Sequence, residues 1–175
     1  MADLLQEKWI KGVAITTTVL AVLTSIASSR AGNCVSKSQV LTAQAGSQWA
    51  YYQAKSIKQN LREIQREIFE VNRLGATTPE QKDLLQKDLQ ASESDVARYE
   101  KEKSDIKQGA EKIDKENALI TRQGNQFSFA VVFFQIGIML SSVSALLKRK
   151  EMWLIGLVFG CIAIVYLANG FLLFF

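Results

Sequence analysis

The sequence predicts an all-α membrane protein: three transmembrane helices with a long antiparallel coiled-coil hairpin inserted between the first and second. Three observations carry this. Residues 12–29 hold no charge, and residues 123–175 hold charge only at Lys148, Arg149, Lys150 and Glu151. Between them lies a charged stretch with an apolar period of 3.5 residues. A bilayer selects such segregation, because a charge at mid-membrane costs roughly 2.5 to 3.5 kcal/mol on insertion scales. The predicted organisation is an N-terminal transmembrane helix over 1–32, an extramembrane hairpin over 33–126 with its turn near 75–78, and a C-terminal transmembrane hairpin over 127–175.

The first membrane segment runs from about Trp9 to Ser29, with Lys8, Trp9 and Lys11 as interface anchors. A cleaved signal peptide is the rival reading, since small residues Ala27, Ser29 and Ala31 follow the apolar run. A retained anchor is the expectation. A lipoprotein signal fits less well, because Asn33 is the wrong kind of residue before Cys34. The second segment spans about Phe127–Leu147 and the third Met152–Phe175, each long enough to cross roughly 30 Å of hydrocarbon. Only Lys148-Arg149-Lys150-Glu151 separates them, which predicts an antiparallel pair.

Each segment carries small residues at a spacing of four: Thr17, Ala21, Ser25 and Ser29; Gly137, Ser141 and Ala145; Gly156 and Gly160. Small rows let backbones approach closely in lipid, within one chain or between chains. Ala21, Ser25, Gly137, Ser141, Gly156 and Gly160 are therefore expected to pack helix on helix. Orientation follows from Lys and Arg in short loops. The N-terminus and the 148–151 turn are expected in the cytoplasm, with the hairpin outside.

From residue 40 the period changes. Val40, Ala43, Ser47, Ala50, Ala54, Ile57, Leu61, Ile64, Ile68 and Val71 form a row of alternating three- and four-residue steps, expected to be the seam of the first hairpin helix. Leu74 and Gly75 end it. Thr78, Pro79, Glu80 and Gln81 then read as a helix start, with a threonine cap, proline in the first turn and a glutamine placed for a capping box. The second row is Leu85, Leu89, Ser92, Val96, Tyr99, Lys103, Ile106, Ala110, Ile113, Asn117 and Ile120, with Gly124 and Asn125 expected to interrupt the helix. Its roughly 36 residues give an arm on the order of 50 Å.

The stem half of the first row is small side chains and buries little area. Lys103 and Asn117 are polar seam positions of the kind that set register or oligomer state; Lys103 snorkelling to solvent is the alternative. With Ala50, Ala54 and Ile57 facing the partner helix, Trp49, Tyr52 and Ser56 fall on another face. Exposed aromatics in a row mark a contact surface, so Trp49, Tyr52, Ser56, Lys103 and Asn117 are the expected assembly or partner contacts.

The stretch QWAYYQAKSIKQ, residues 48–59, together with the EKW start at Glu7, Lys8 and Trp9, resembles the signature of an uncharacterised family of small bacterial membrane proteins. The resemblance implies an N-terminal membrane helix, a charged helical middle and a C-terminal membrane hairpin, and the expected location is the bacterial inner membrane with the arm periplasmic or external. The resemblance implies no activity.

Composition narrows the function further. The 15 Lys and Arg within 33–126 face 14 Asp and Glu, so the net charge of +4 builds no basic face and nucleic acid is not expected. With no histidine and two distant cysteines, Cys34 and Cys161, neither a metal cluster nor a disulfide framework is expected. No cofactor motif or activated nucleophile is present. Carboxylate pairs such as Glu100 with Glu102, or Asp114 with Glu116, are expected on solvated helix faces. The expected function is a non-enzymatic, homo-oligomeric membrane scaffold or accessory protein that contacts lipid and another membrane or periplasmic protein. The alternative is an oligomeric pore, with Gln135 lining it.

Overall fold

The computed structural model describes the backbone of residues 2–173 and the side chains of residues 9–173; the Lys8 anchor lies outside the described side chains. Three helices account for nearly all of it: α1 over Ala2–Gly75, α2 over Pro79–Leu147 and α3 over Lys150–Leu172. Each contains a stretch long and apolar enough to cross a membrane. The chain divides into two compact units, one of residues 1–40 with 117–175, the other of residues 41–116.

The turn between α1 and α2 falls where the cap signal places it. The Gln81 amide donates to Thr78 Oγ1 at 3.3 Å, satisfying one of the N–H groups that a helix start leaves unpaired. Pro79 takes the first helical position, where its missing N–H costs nothing. The expected break at Gly124 and Asn125 is absent: α2 runs through both. Gly124 serves another purpose, since a Cβ there would lie 3.0 Å from Cys34 Cβ on α1. The residue allows close approach of two helices instead of ending one.

In the first unit, the opening half of α1, the closing half of α2 and α3 pack around Leu20, Ala27, Ala130, Phe134 and Ala163. Backbone approach is closest at Gly137 and Gly156, where a Cβ on either glycine would sit 2.9 Å from the other's carbonyl oxygen. Gly160 receives Leu20 in the same way, at 3.0 Å. Trp153 on α3 donates its indole N–H to Thr16 Oγ1 on α1 at 3.1 Å.

The α2 to α3 connection is tighter than a four-residue turn. Lys148 adopts φ 55°, a left-handed conformation common just past a helix end, and Arg149 is extended. Ser144 closes the turn from both directions: its hydroxyl donates to the Arg149 carbonyl at 2.7 Å, and its own carbonyl accepts from the Arg149 amide at 3.2 Å.

Candidate assembly surface

In the second unit, α1 from Leu41 and α2 up to Glu116 lie side by side. The cross-pairs match ascending positions on α1 with descending ones on α2, so the two segments are antiparallel. Trp49 Nε1 donates to Asp114 Oδ2 at 3.0 Å, and Lys55 pairs with Glu102. Lys103 Nζ donates to Gln59 Oε1 at 3.1 Å. Arg62 Nε meets Asp95 Oδ2 at 3.1 Å, and Arg73 donates to Gln86 at 2.7 Å near the turn.

These pairs identify which face of each helix looks inward. On α2 the expected row holds: Ser92 and Ala110 are buried, and Leu85, Leu89, Val96, Tyr99, Lys103, Ile106 and Ile113 are half-buried. On α1 the structure corrects the expectation. All of Val40, Ala43, Ser47, Ala50, Ala54, Ile57, Leu61, Ile64, Ile68 and Val71 are exposed. The inward row is Leu41, Ala45, Gln48, Tyr52, Lys55, Gln59, Arg62, Arg66, Phe69 and Arg73, which has the same 3.5-residue period on a different face.

Side-chain size and partner chemistry explain the rotation. Near the stem, the choice lies between covering Ala43, Ala50 and Ala54 or covering Leu41, Trp49 and Tyr52. A buried aromatic removes 150 to 250 Å² from water, several times what an alanine offers. Further along, the heads of Lys55, Arg62 and Arg73 reach Glu102, Asp95 and Gln86, a reach that lets their methylene stems cover apolar surface of α2. The ammonium of Lys55 stands 5.4 Å from the Tyr51 ring centroid and 5.2 Å from that of Tyr99.

Electrostatics at the Lys55–Glu102 pair follow from that geometry. The hydrogen bond with Glu102 raises the Lys55 pKa above its ordinary 10.5, against a smaller opposing effect of desolvation. The same bond, helped by the charges of Lys55, Arg98 and Lys58, lowers Glu102 below its ordinary 4.5. Glu102 is thus a paired carboxylate, and Asp114 accepts from Trp49; neither stands as a solitary acid on a solvated face.

The expected contact residues are distributed as follows. Trp49, Tyr52 and Ser56 are half-buried, and Trp49 and Tyr52 meet Asp114 and Lys103 on α2, so the expectation of a largely exposed aromatic face is corrected. Trp49 and Tyr52 pack edge to face at 5.7 Å, and Lys103 stands 5.3 Å over the Tyr52 ring, reaching across the pair instead of out to solvent. Asn117, in the other unit, accepts from the Ser38 hydroxyl at 2.6 Å, and Ser38 also meets Thr121 at 3.1 Å. Gly137, Ser141, Gly156 and Gly160 come together: the Cβ that Gly156 lacks would lie 3.1 Å from Ser141 Oγ. Ala21 and Ser25 do not join them, because both are exposed while Val13, Leu20 and Ala27 are the buried residues of that part of α1. Gln135 is exposed on the outside of the bundle.

What the sequence reading missed is the exposure of the expected α1 row. Ile57, Leu61, Ile64, Ile68 and Val71 are each between 52 and 67% exposed, although their spacing is that of a helix-pairing seam. Its flanking positions are Gln53, Asn60 and Glu67 on one side and Lys58, Gln65 and Asn72 on the other, so mostly uncharged amides border it. Among the described residues, no group of three or more His, Cys, Asp or Glu is placed to hold a metal ion.

No curated protein and no solved structure matches the chain. One family model does match, and it covers residues 9–173, nearly the full length. The chain belongs to the family described as Domain of unknown function (DUF4337).

Proposed function

We propose that this chain is a non-enzymatic, homo-oligomeric integral membrane scaffold or accessory protein. In this reading the three apolar stretches anchor it in a bacterial inner membrane, with the N-terminus and the 148–151 turn cytoplasmic. The residues between the first and second stretches form an antiparallel coiled-coil hairpin on the periplasmic side, which mediates assembly and contact with another membrane or periplasmic protein.

The observation that carries the reading is the exposed row Ile57, Leu61, Ile64, Ile68 and Val71. An apolar row of this length in water marks an interaction surface, and a sustained period of 3.5 fits another helix better than a small molecule. A second copy suits it. Neighbouring copies inserted in one membrane share a direction, so their rows meet in parallel, and the amide-rich flanks set no line of like charges against each other. In heptad terms Leu61 and Ile68 take the a positions, and Ile57, Ile64 and Val71 the d positions. Leucine or isoleucine at a with isoleucine at d favours three or four strands over two.

The test is the particle mass in mild detergent. An assembly of several 19.5 kDa chains is expected, reverting to single chains when Ile57, Leu61, Ile64 and Ile68 are all changed to glutamine. A monomeric unmodified chain would reject the proposal. A pore is the second reading, favoured by the exposure of Gln135 within an apolar stretch. Conductance in reconstituted bilayers that changes with Gln135→Leu would promote it; silent bilayers with confirmed insertion would remove it.

A further inference from the structure

A cavity of about 230 Å³ lies within the first unit, between α1, α2 and α3. Arg30, Asn33, Lys37 and Gln123 supply its polar wall and Phe127 and Phe171 its floor, and among the described residues no acidic side chain lines it. Arg30 is the first charge after the uncharged run 12–29, Phe127 opens the apolar end of α2, and Phe171 lies one residue before the end of α3. All three helices therefore reach the cavity where their apolar stretches stop.

The floor is built. Phe127 and Phe171 pack edge to face at 5.1 Å, and Gly170 makes room for this, since a Cβ there would fall 2.6 Å from the Phe127 ring. The Arg30 guanidinium rests 5.4 Å from the Phe171 centroid, a cation–π contact that holds its charge over the floor. Lys37 follows Arg30 by seven residues and so shares its face of α1.

We propose that this cavity binds the phosphate of an anionic lipid headgroup, with Arg30 and Lys37 as its cations. The guanidinium fork matches phosphate oxygens, Lys37 adds a point charge, and the amides of Asn33 and Gln123 donate to the remaining oxygens or to the glycerol hydroxyls. Phe171, which is exposed, then meets the start of the acyl chains, with Phe127 supporting it from beneath. Basic pockets between membrane helices at the boundary of lipid and water recognise such headgroups. Free phosphate shares the charge but has nothing to place on the aromatic floor. The inference rests on the membrane reading above.

The experiment titrates the purified full chain with phosphatidylglycerol, phosphatidylcholine or inorganic phosphate, counting bound lipid by native mass spectrometry and following the melting midpoint. Phosphatidylglycerol alone is expected to be retained and to raise the midpoint. Arg30→Gln and Lys37→Gln should each weaken retention about fivefold. Arg30→Lys should keep most of it and guards against a folding defect, and Lys148→Gln with Lys150→Gln, which removes twice the charge of either single variant elsewhere, should leave it unchanged. Equal retention of both lipids, retention unaffected by Arg30→Gln, or a full response to inorganic phosphate would overturn the lipid assignment while leaving the membrane reading intact. A chain that fails to enter vesicles would overturn both.

Discussion

The two units of this molecule hold their helices together by opposite means. In residues 1–40 with 117–175, helices meet through missing side chains: Gly137 against Gly156, Leu20 into Gly160 and Phe127 into Gly170. In residues 41–116 they meet through long side chains, with Lys55, Gln59, Arg62 and Arg73 reaching across to Glu102, Lys103, Asp95 and Gln86. The first solution suits a low-dielectric solvent, where close contact must replace a hydrophobic driving force that lipid does not supply. The second leaves the most apolar face of α1 unused within the chain. That face, with Ile57, Leu61, Ile64, Ile68 and Val71 exposed, is the one on which the proposed assembly rests.

The largest effect that would test this contrast is expected at Gly156. A leucine there would press against the Gly137 carbonyl, Ser141 Oγ and Leu140, at 2.9, 3.1 and 3.3 Å from the new Cβ, two of them with little freedom to yield. The expected loss is about 3 kcal/mol, overpacking at the upper end of its usual range, read as a fall in the melting midpoint in detergent. An unchanged midpoint would break the account of the bundle.

Changing Ile57, Leu61, Ile64 and Ile68 to glutamine should act the other way round, with large consequences for particle mass and little for the folding of one chain. Exposed substitutions typically stay within about 0.5 kcal/mol each, so helicity by circular dichroism should persist while the assembly dissociates. Loss of helicity would mean that the row is buried within the chain after all.

Smaller still is Trp49→Phe, which keeps the ring contact with Tyr52 and deletes the hydrogen bond to Asp114. About 1 kcal/mol is expected, a usual net value for one such bond, measured by thermal unfolding of the full chain.

The smallest effect is the pH dependence from Lys55 and Glu102. Glu102 has its pKa lowered in the fold, so its contribution is complete above 4.5 and is lost as pH falls through the folded value below that. Lys55 is raised, so its contribution is complete below 10.5 and is lost as pH climbs through the higher folded value. Helicity should be flat between these limits, and Glu102→Gln should flatten the acid limb. Both groups are solvent-accessible, so screening by salt keeps the change small.

How much of this was legible in the sequence differs between the two helices of the second unit. The inward row of α2 could be read from Leu85 to Ile113 because its apolar period and its packing face coincide. On α1 two rows share the period. Choosing by hydropathy selects Ile57, Leu61 and Ile64, whereas the structure selects Tyr52, Lys55 and Gln59, whose partners lie some 40 to 50 positions away on α2. The missed signal was chemical complementarity: cations and aromatics at one period on α1 facing Asp95, Tyr99 and Glu102 at the same period on α2. The cap at Thr78 and Pro79 was readable because it is local. Gly124 was misread because glycine has two uses, ending a helix and admitting a neighbour, and only the proximity of Cys34 tells them apart.

If the apolar stretches of α2 and α3 cross a membrane as proposed, the turn at Lys148 and Arg149 bears on how they enter it. With two residues between helices and Ser144 fastening both strands of the bend, neither α2 nor α3 has slack to settle while the other waits. The pair would have to enter the bilayer in one concerted step, its glycine contact already in place. Lengthening that connection by a few flexible residues would uncouple the two halves and let the translocation machinery handle each as a separate passenger.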